Sequence, residues 1–305
     1  MTTASTEQRD TATAAALAAQ TAIRQALDAT VPRLTATLRA VPDGSLPLQG
    51  MRWRTGDLGA HLAQTATVFT QAVRGEVTAY GEDGTFSAEV DQQLVDELPE
   101  RNPARLADLI EERYAGLKEA SDGRPDDELL PRFQGYSIAG LHAVWVLDLS
   151  VHGHQIGAAA SRPFAVDNAA MRLALSTVLP FAFHPDGARG LRATYAMHIK
   201  GTEPIVYSVD DGTVRVQGSK AEIDCHLGVD PTAFLLVTLG VMPQWQAILT
   251  GKMRAWGRRP WLSARMSKMF PQVPHGGVAR RSTQRDVTLG QLLAAVRERV
   301  ASLRR

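Results

Sequence analysis

The stretch from Ser137 to Ala160 constrains this chain more than any other. It reads SIAGLHAVWVLDLSVHGHQIGAAA, with no proline and with apolar residues on nearly every side of a helical wheel. A helix of that kind is stable only where neighbours cover it all round, so it belongs at the centre of a helical bundle. Four ionisable residues, His142, Asp148, His152 and His154, interrupt it. Asp148 and His152 are four apart and therefore stack on one helix face, a turn from each other. Ionisable groups in such surroundings are costly unless they are paired or ligated.

The flanking sequence supplies partners. Residues 8–40 carry Ile23, Leu27, Val31 and Leu34 at helical spacing, with possible strain at Pro32, and stop at Val41-Pro42-Asp43-Gly44-Ser45. A second helix starts after Trp53, with Thr55 as the expected N-cap and Asp57 in the first turn, and runs to about Gly75. Residues 81–100 read as a loop region with an acidic stretch. A third helix follows Asn102-Pro103, with Leu106, Ile110, Tyr114 and Leu117 in register, and ends near Gly123. These breaks predict an up-and-down four-helix bundle over residues 1–162.

After Ser161-Arg162-Pro163 the texture changes. Three short runs over 191–218 read as strands, and Asp210-Asp211-Gly212 marks a hairpin between the last two. A strand at Ala221–Leu227 and helices at Pro231–Leu239 and Pro243–Leu249 follow. Residues 163–305 are thus expected to form an α+β domain, an antiparallel sheet with helices on it.

Lys plus Arg is 33 and Asp plus Glu is 32, which leaves no electrostatic case for a nucleic-acid or acidic-membrane partner. The arginines near the end (Arg280, Arg281, Arg297, Arg299, Arg304 and Arg305) read as a solvated face. Cys225 is the only cysteine, which excludes an intramolecular disulfide and a cysteine metal cluster. The start lacks the basic and apolar segments of a secretory signal, and no run approaches a membrane span, so a soluble cytoplasmic protein is expected.

An imidazole and a carboxylate on adjacent turns make a two-point grip for a borderline metal, and the plain alternative is an Asp–His pair satisfied in the core. His61, on the second helix among Leu58, Leu62 and Val68, is a possible third ligand. Two histidines and one carboxylate would leave coordination positions open, as catalytic sites need. His154 lies roughly 200° round the helix from His152 and reads as surface or supporting. His142 is off the ligand face. His184, His198, His226 and His275 show no ligand spacing. There is no glycine-rich phosphate loop, and the Gly135–Gly140 segment opens a helix and is no nucleophile elbow.

The runs MRWRTGDLGAHLAQTATVF and WVLDLSVHGHQIGAA, followed by GVMPQWQAILTGKMRAWG, resemble the mycothiol-dependent maleylpyruvate isomerase family. The resemblance implies a DinB-like bundle followed by a smaller sterol-carrier-like α+β domain. It implies metal ligation by His61, Asp148 and His152, with Asp148 standing where the family has glutamate, one methylene longer. It places His154 and Gln155 beside the site. It further implies a divalent cation (zinc first, then nickel, iron or manganese), mycothiol as cosubstrate, and isomerase or S-transferase chemistry on a small electrophile. Trp53, Arg254, Trp256, Arg258 and Arg259 are the candidates for holding thiol or substrate, with surface packing as the plain reading of each. Two other readings stay open: a lipid- or small-molecule-binding protein with a degenerate bundle, and a metal-dependent tailoring enzyme that uses no thiol. Monomer and homodimer are both compatible.

Overall fold

A computed structural model describes residues 3–217 and 221–278. The terminal arginine positions Arg280, Arg281, Arg297, Arg299, Arg304 and Arg305 lie outside the described residues, as does the expected end of the third strand at Gly218. Six helices come first: α1 (Thr3–Arg39), α2 (Thr55–Val73), α3 (Ala88–Glu97), α4 (Pro103–Ser121), α5 (Ile138–Ala159) and α6 (Asn168–Val178). The second half holds β1 (Arg192–Ile199), β2 (Ile205–Asp210), β3 (Thr213–Gln217), β4 (Cys225–Val229), α7 (Pro231–Thr238), α8 (Gln244–Leu249), β5 (Met253–Trp256) and α9 (Met266–Met269). The architecture is a helical bundle followed by α+β.

α5 sits where its composition demands. It packs against α1, α2, α6 and α7, and Leu141, Trp145, Val146 and Leu149 are fully buried. α2 packs mainly on α4, and Leu58 and Leu62 of the one and Leu106 and Ile110 of the other are fully buried. Full burial of each such side chain contributes about 1.5–3 kcal/mol, and α2 also packs on α5. Ser137 caps α5 by accepting from the Gly140 N–H at 3.0 Å. α1 runs through Pro32 without a break.

Several details differ from the sequence expectation. α2 begins at Thr55, with Arg54 in the cap position; Asp57 Oδ2 accepts from the Arg54 N–H at 3.0 Å, and Thr55 Oγ1 donates to the Asp43 carbonyl. Residues 81–100 are not all loop: α3 forms there, capped by Ser87 Oγ. Its signal is short and acidic, and only Asp91, Leu94 and Val95 are buried, so periodicity is weak. α6 follows the break at 161–163 yet packs on α5 and α1. The sheet has strand order β3-β2-β1-β4-β5. It is mixed, not antiparallel throughout, because β4 lies beside β1 and runs parallel to it. Local hairpin signals cannot report a pairing between strands so far apart in the chain. Among the described residues no helix is long and apolar enough to cross a membrane.

Candidate metal centre

Three histidines meet between α2, α5 and the segment that follows α9. His61 and His152 come from the two helices and His275 from the extended residues 271–278. All three are buried, and one ring nitrogen from each lies within 4.8 Å of the other two. Asp148, a turn before His152, places Oδ1 3.0 Å from His152 Nε2 and Oδ2 3.7 Å from His61 Nε2. The Asp148 side chain is 16% exposed, and Oδ2 is buried without a hydrogen-bond partner.

His275 is brought in by a strap. Val273 N–H donates to the Thr238 carbonyl at the end of α7. Further on, Gly276 N–H donates to Asp91 Oδ2 at 2.9 Å, Arg52 Nε donates to the Gly276 carbonyl at 2.6 Å, and Arg52 N–H donates to the Gly277 carbonyl at 2.8 Å. The two glycines are needed for this close approach. A Cβ on Gly277 would lie 2.4 Å from the Trp53 ring, and one on Gly276 would lie 2.7 Å from the Ala88 carbonyl oxygen. Trp53 closes the wall, with ring centroids 5.2 Å from His61 and 5.0 Å from His275.

The hydrogen bonds decide which nitrogens face the centre. Gln155 Oε1 lies 2.7 Å from His152 Nδ1. A carbonyl oxygen only accepts, so Nδ1 carries the proton, and in the neutral ring Nε2 presents a lone pair. His275 Nδ1 accepts from the Gly277 N–H at 3.1 Å, so the neutral ring carries its proton on Nε2, which faces His152 Nε2 at 3.2 Å. Neutral His152 therefore points a lone pair at an Asp148 oxygen 3.0 Å away. That arrangement repels unless a proton or another cation lies between. The Asp148 carboxyl is held well below the usual carboxylate range: burial opposes ionisation, but His152 and His61 outweigh it. For His61 burial again works against charge, and the Asp148 carboxylate raises it above the ordinary histidine value. His275 is pushed well below that value by burial and by His61 and His152.

A metal ion fits this donor set. Tetrahedral Zn–N bonds of about 2.0–2.1 Å put ligand nitrogens about 3.3 Å apart, close to the His152–His275 separation. The orphaned Asp148 Oδ2 is a further acceptor beside the group, 3.7 Å from His61 Nε2.

A cavity of about 510 Å³ starts at His61, Asp148 and His275 and extends between the bundle and α7. It is lined by aromatic side chains from both halves of the chain, among them Phe69, Phe86, Phe181 and Phe234.

Not every expected site residue arrives here. Gln155 and Trp53 touch the cluster. His154 turns away, half-buried near Lys252 and Asp230. Arg254, Trp256, Arg258 and Arg259 do not line the cavity. Arg254 lies over the Trp256 ring, and Arg258 and Arg259 pair with Asp224. His275 is the residue that spacing alone missed. Pro274-His275-Gly276-Gly277 was its one local sign, a histidine on backbone able to approach closely.

Comparison with known proteins agrees with the bundle motifs. Residues 45–157 match the family model described as the mycothiol maleylpyruvate isomerase N-terminal domain. A crystal structure of the mycothiol-dependent maleylpyruvate isomerase is similar at 14% identity and TM-score 0.47, covering 84% of this chain and 96% of that one. A point mutant of that enzyme gives 10% identity, the same coverage and the same TM-score. The stereoselective inverting sec-alkylsulfatase from Pseudomonas sp. is more distant, at 15% identity and TM-score 0.28, covering 72% of this chain and 44% of that one. No curated protein matches the chain. Residues 45–157, with His61, Asp148 and His152 among them, are therefore similar to the mycothiol maleylpyruvate isomerase N-terminal domain.

Proposed function

We propose that this protein is a metal- and thiol-dependent isomerase or S-transferase of the cytoplasm, acting on a small electrophile at the His61–Asp148–His152 cluster. One observation carries the reading: three buried imidazoles converge beside the Asp148 carboxylate, whose Oδ1 faces His152 and whose buried Oδ2 has no hydrogen-bond partner. His61, Asp148 and His152 would hold the cation, and His275 would add a donor from the strap once its proton sits on Nδ1 in place of the Gly277 contact. A bound divalent cation, zinc first and nickel, iron or manganese after it, lowers the pKa of a neighbouring thiol or water toward neutrality.

The chain's own residues do the rest. Gln155 keeps the His152 proton on Nδ1, the Gly277 N–H orients His275, and the strap with Trp53 closes one side of the site against water. The family model matched by residues 45–157 names mycothiol as the thiol. As a thiolate it would add to an activated double bond of the substrate. Rotation and elimination then give isomerisation, and retention of the adduct gives S-transfer. The cavity runs directly from the histidines into the α+β half, which favours a catalytic chamber over a separate lipid-binding tunnel.

The test is elemental analysis of purified protein beside His152→Ala. Near-stoichiometric metal in the first and strong loss in the second are expected. Equal, negligible metal in both would overturn the metal reading. Mass spectrometry after incubation with mycothiol and candidate electrophiles tests the thiol; turnover independent of thiol would remove that part.

A further inference from the structure

Resting on the reading that chemistry occurs at the His61–Asp148–His152 cluster, we propose that the substrate accepted there is uncharged and largely apolar, and that dicarboxylates are excluded. The cavity's 510 Å³ lies in the range that holds a drug-sized ligand. Beyond the aromatic residues named above, its walls are aliphatic: Val144, Leu147 and Val151 from α5, Leu175 and Leu179 from α6 and its C-cap, Leu235 from α7. Among the described residues that line it there is no lysine and no arginine. The two acidic lining residues, Asp91 and Asp148, carry the wrong sign for an organic anion.

A carboxylate bound in such a place needs charge-assisted donors, usually an arginine fork. Without them, moving it out of water costs several kcal/mol. The guanidinium closest along the strap, that of Arg52, donates through Nε to the Gly276 carbonyl and is not a lining residue. The Tyr80 hydroxyl, which faces the cavity, is already donated to Asp91. A cation among the histidines would offer one attachment point at one end of the chamber. The second carboxylate of a diacid would then sit among phenyl rings. Apart from His61, His184 and His275, the remaining polar wall consists of hydroxyls and amides such as Thr65, Thr238, Gln134 and Gln272. These suit a carbonyl, ester or ether oxygen.

The full chain, as purified and after dialysis against a chelator, should be titrated with N-phenyl-1-naphthylamine, an uncharged aromatic dye whose fluorescence rises in apolar surroundings. Saturable binding in both forms is expected, with displacement by methyl cinnamate and none by maleate. Val144→Arg places a cation in the wall one turn before Asp148 and should weaken the dye at least about tenfold, about 1.4 kcal/mol. Thr238→Arg repeats the test from α7 should the first variant melt early by circular dichroism. Absence of dye binding, displacement by maleate equal to that by the ester, or unchanged affinity in both variants would overturn the proposal. Metal bound without dye overturns this proposal alone. Dye bound without metal overturns the metal reading and leaves the chamber's selectivity standing.

Discussion

Two histidine clusters in this molecule look alike by distance and differ in everything else. In the bundle, His152 and His275 nitrogens are 3.2 Å apart; on the sheet, His198 Nε2 and His226 Nδ1 are 2.9 Å apart. The sheet pair is half-buried, and its rings stack with Trp256, under the Arg254 guanidinium. Its acid neighbour in sequence, Asp224, is turned to Arg258 and Arg259. Burial, His226 and Arg254 all lower the His198 pKa, which favours the neutral form of His198 in that stack. The bundle cluster has what the sheet pair lacks: a carboxylate with a free oxygen, partners that fix which nitrogen faces inward, and exclusion of water. Proximity of imidazoles is therefore a poor sign of a metal centre by itself; the acid and the orienting hydrogen bonds carry the distinction.

The comparison can be broken most forcefully by zinc titration followed by thermal melting. Zinc at about a hundred times its Kd stabilises a binding protein by about 2.7 kcal/mol. That gain should vanish in His152→Ala and persist in His226→Ala; the reverse pattern would move the metal to the sheet. Next in size is His275→Ala, expected to weaken zinc about 10–100-fold, as measured by competition with a chelating dye, while leaving the bundle folded. An unchanged affinity would make the strap histidine a wall and not a ligand. Gly277→Ala forces a Cβ into Trp53 and should cost about 1–3 kcal/mol in chemical denaturation, and zinc affinity should fall with it. Stability lost without any change in affinity would separate strap from site. The smallest effect is expected from His226→Ala itself: loss of its stack on Trp256, about 0.5–1.5 kcal/mol by denaturation, with zinc affinity unmoved.

Much of the site was legible because helical spacing is a local rule. Asp148 and His152 share a face by being four apart, and the apolar residues around His61 say which side of α2 is buried. The strap was not legible. Residues 271–278 have no periodicity, and the position of His275 depends on Asp91, Arg52 and Thr238, which come from three other parts of the chain. The short α3 was hidden by its acidic exposed face, yet it supplies Asp91, which holds the strap. Arg254, Trp256, Arg258 and Arg259 were reasonable on composition. The structure gives each of the three arginines a partner on the sheet.

By itself the sequence determined that α5 is central, that an acid and an imidazole share its buried face, and that the chain passes from helices to α+β. Those follow from periodicity and from the cost of burying charge, both of which act over a few residues. Only the tertiary structure decided that a histidine more than a hundred residues further on completes the cluster, that β4 lies parallel beside β1, and that no lysine or arginine among the described residues lines the cavity. Such facts depend on which distant segments pack together, and packing answers to the whole chain at once.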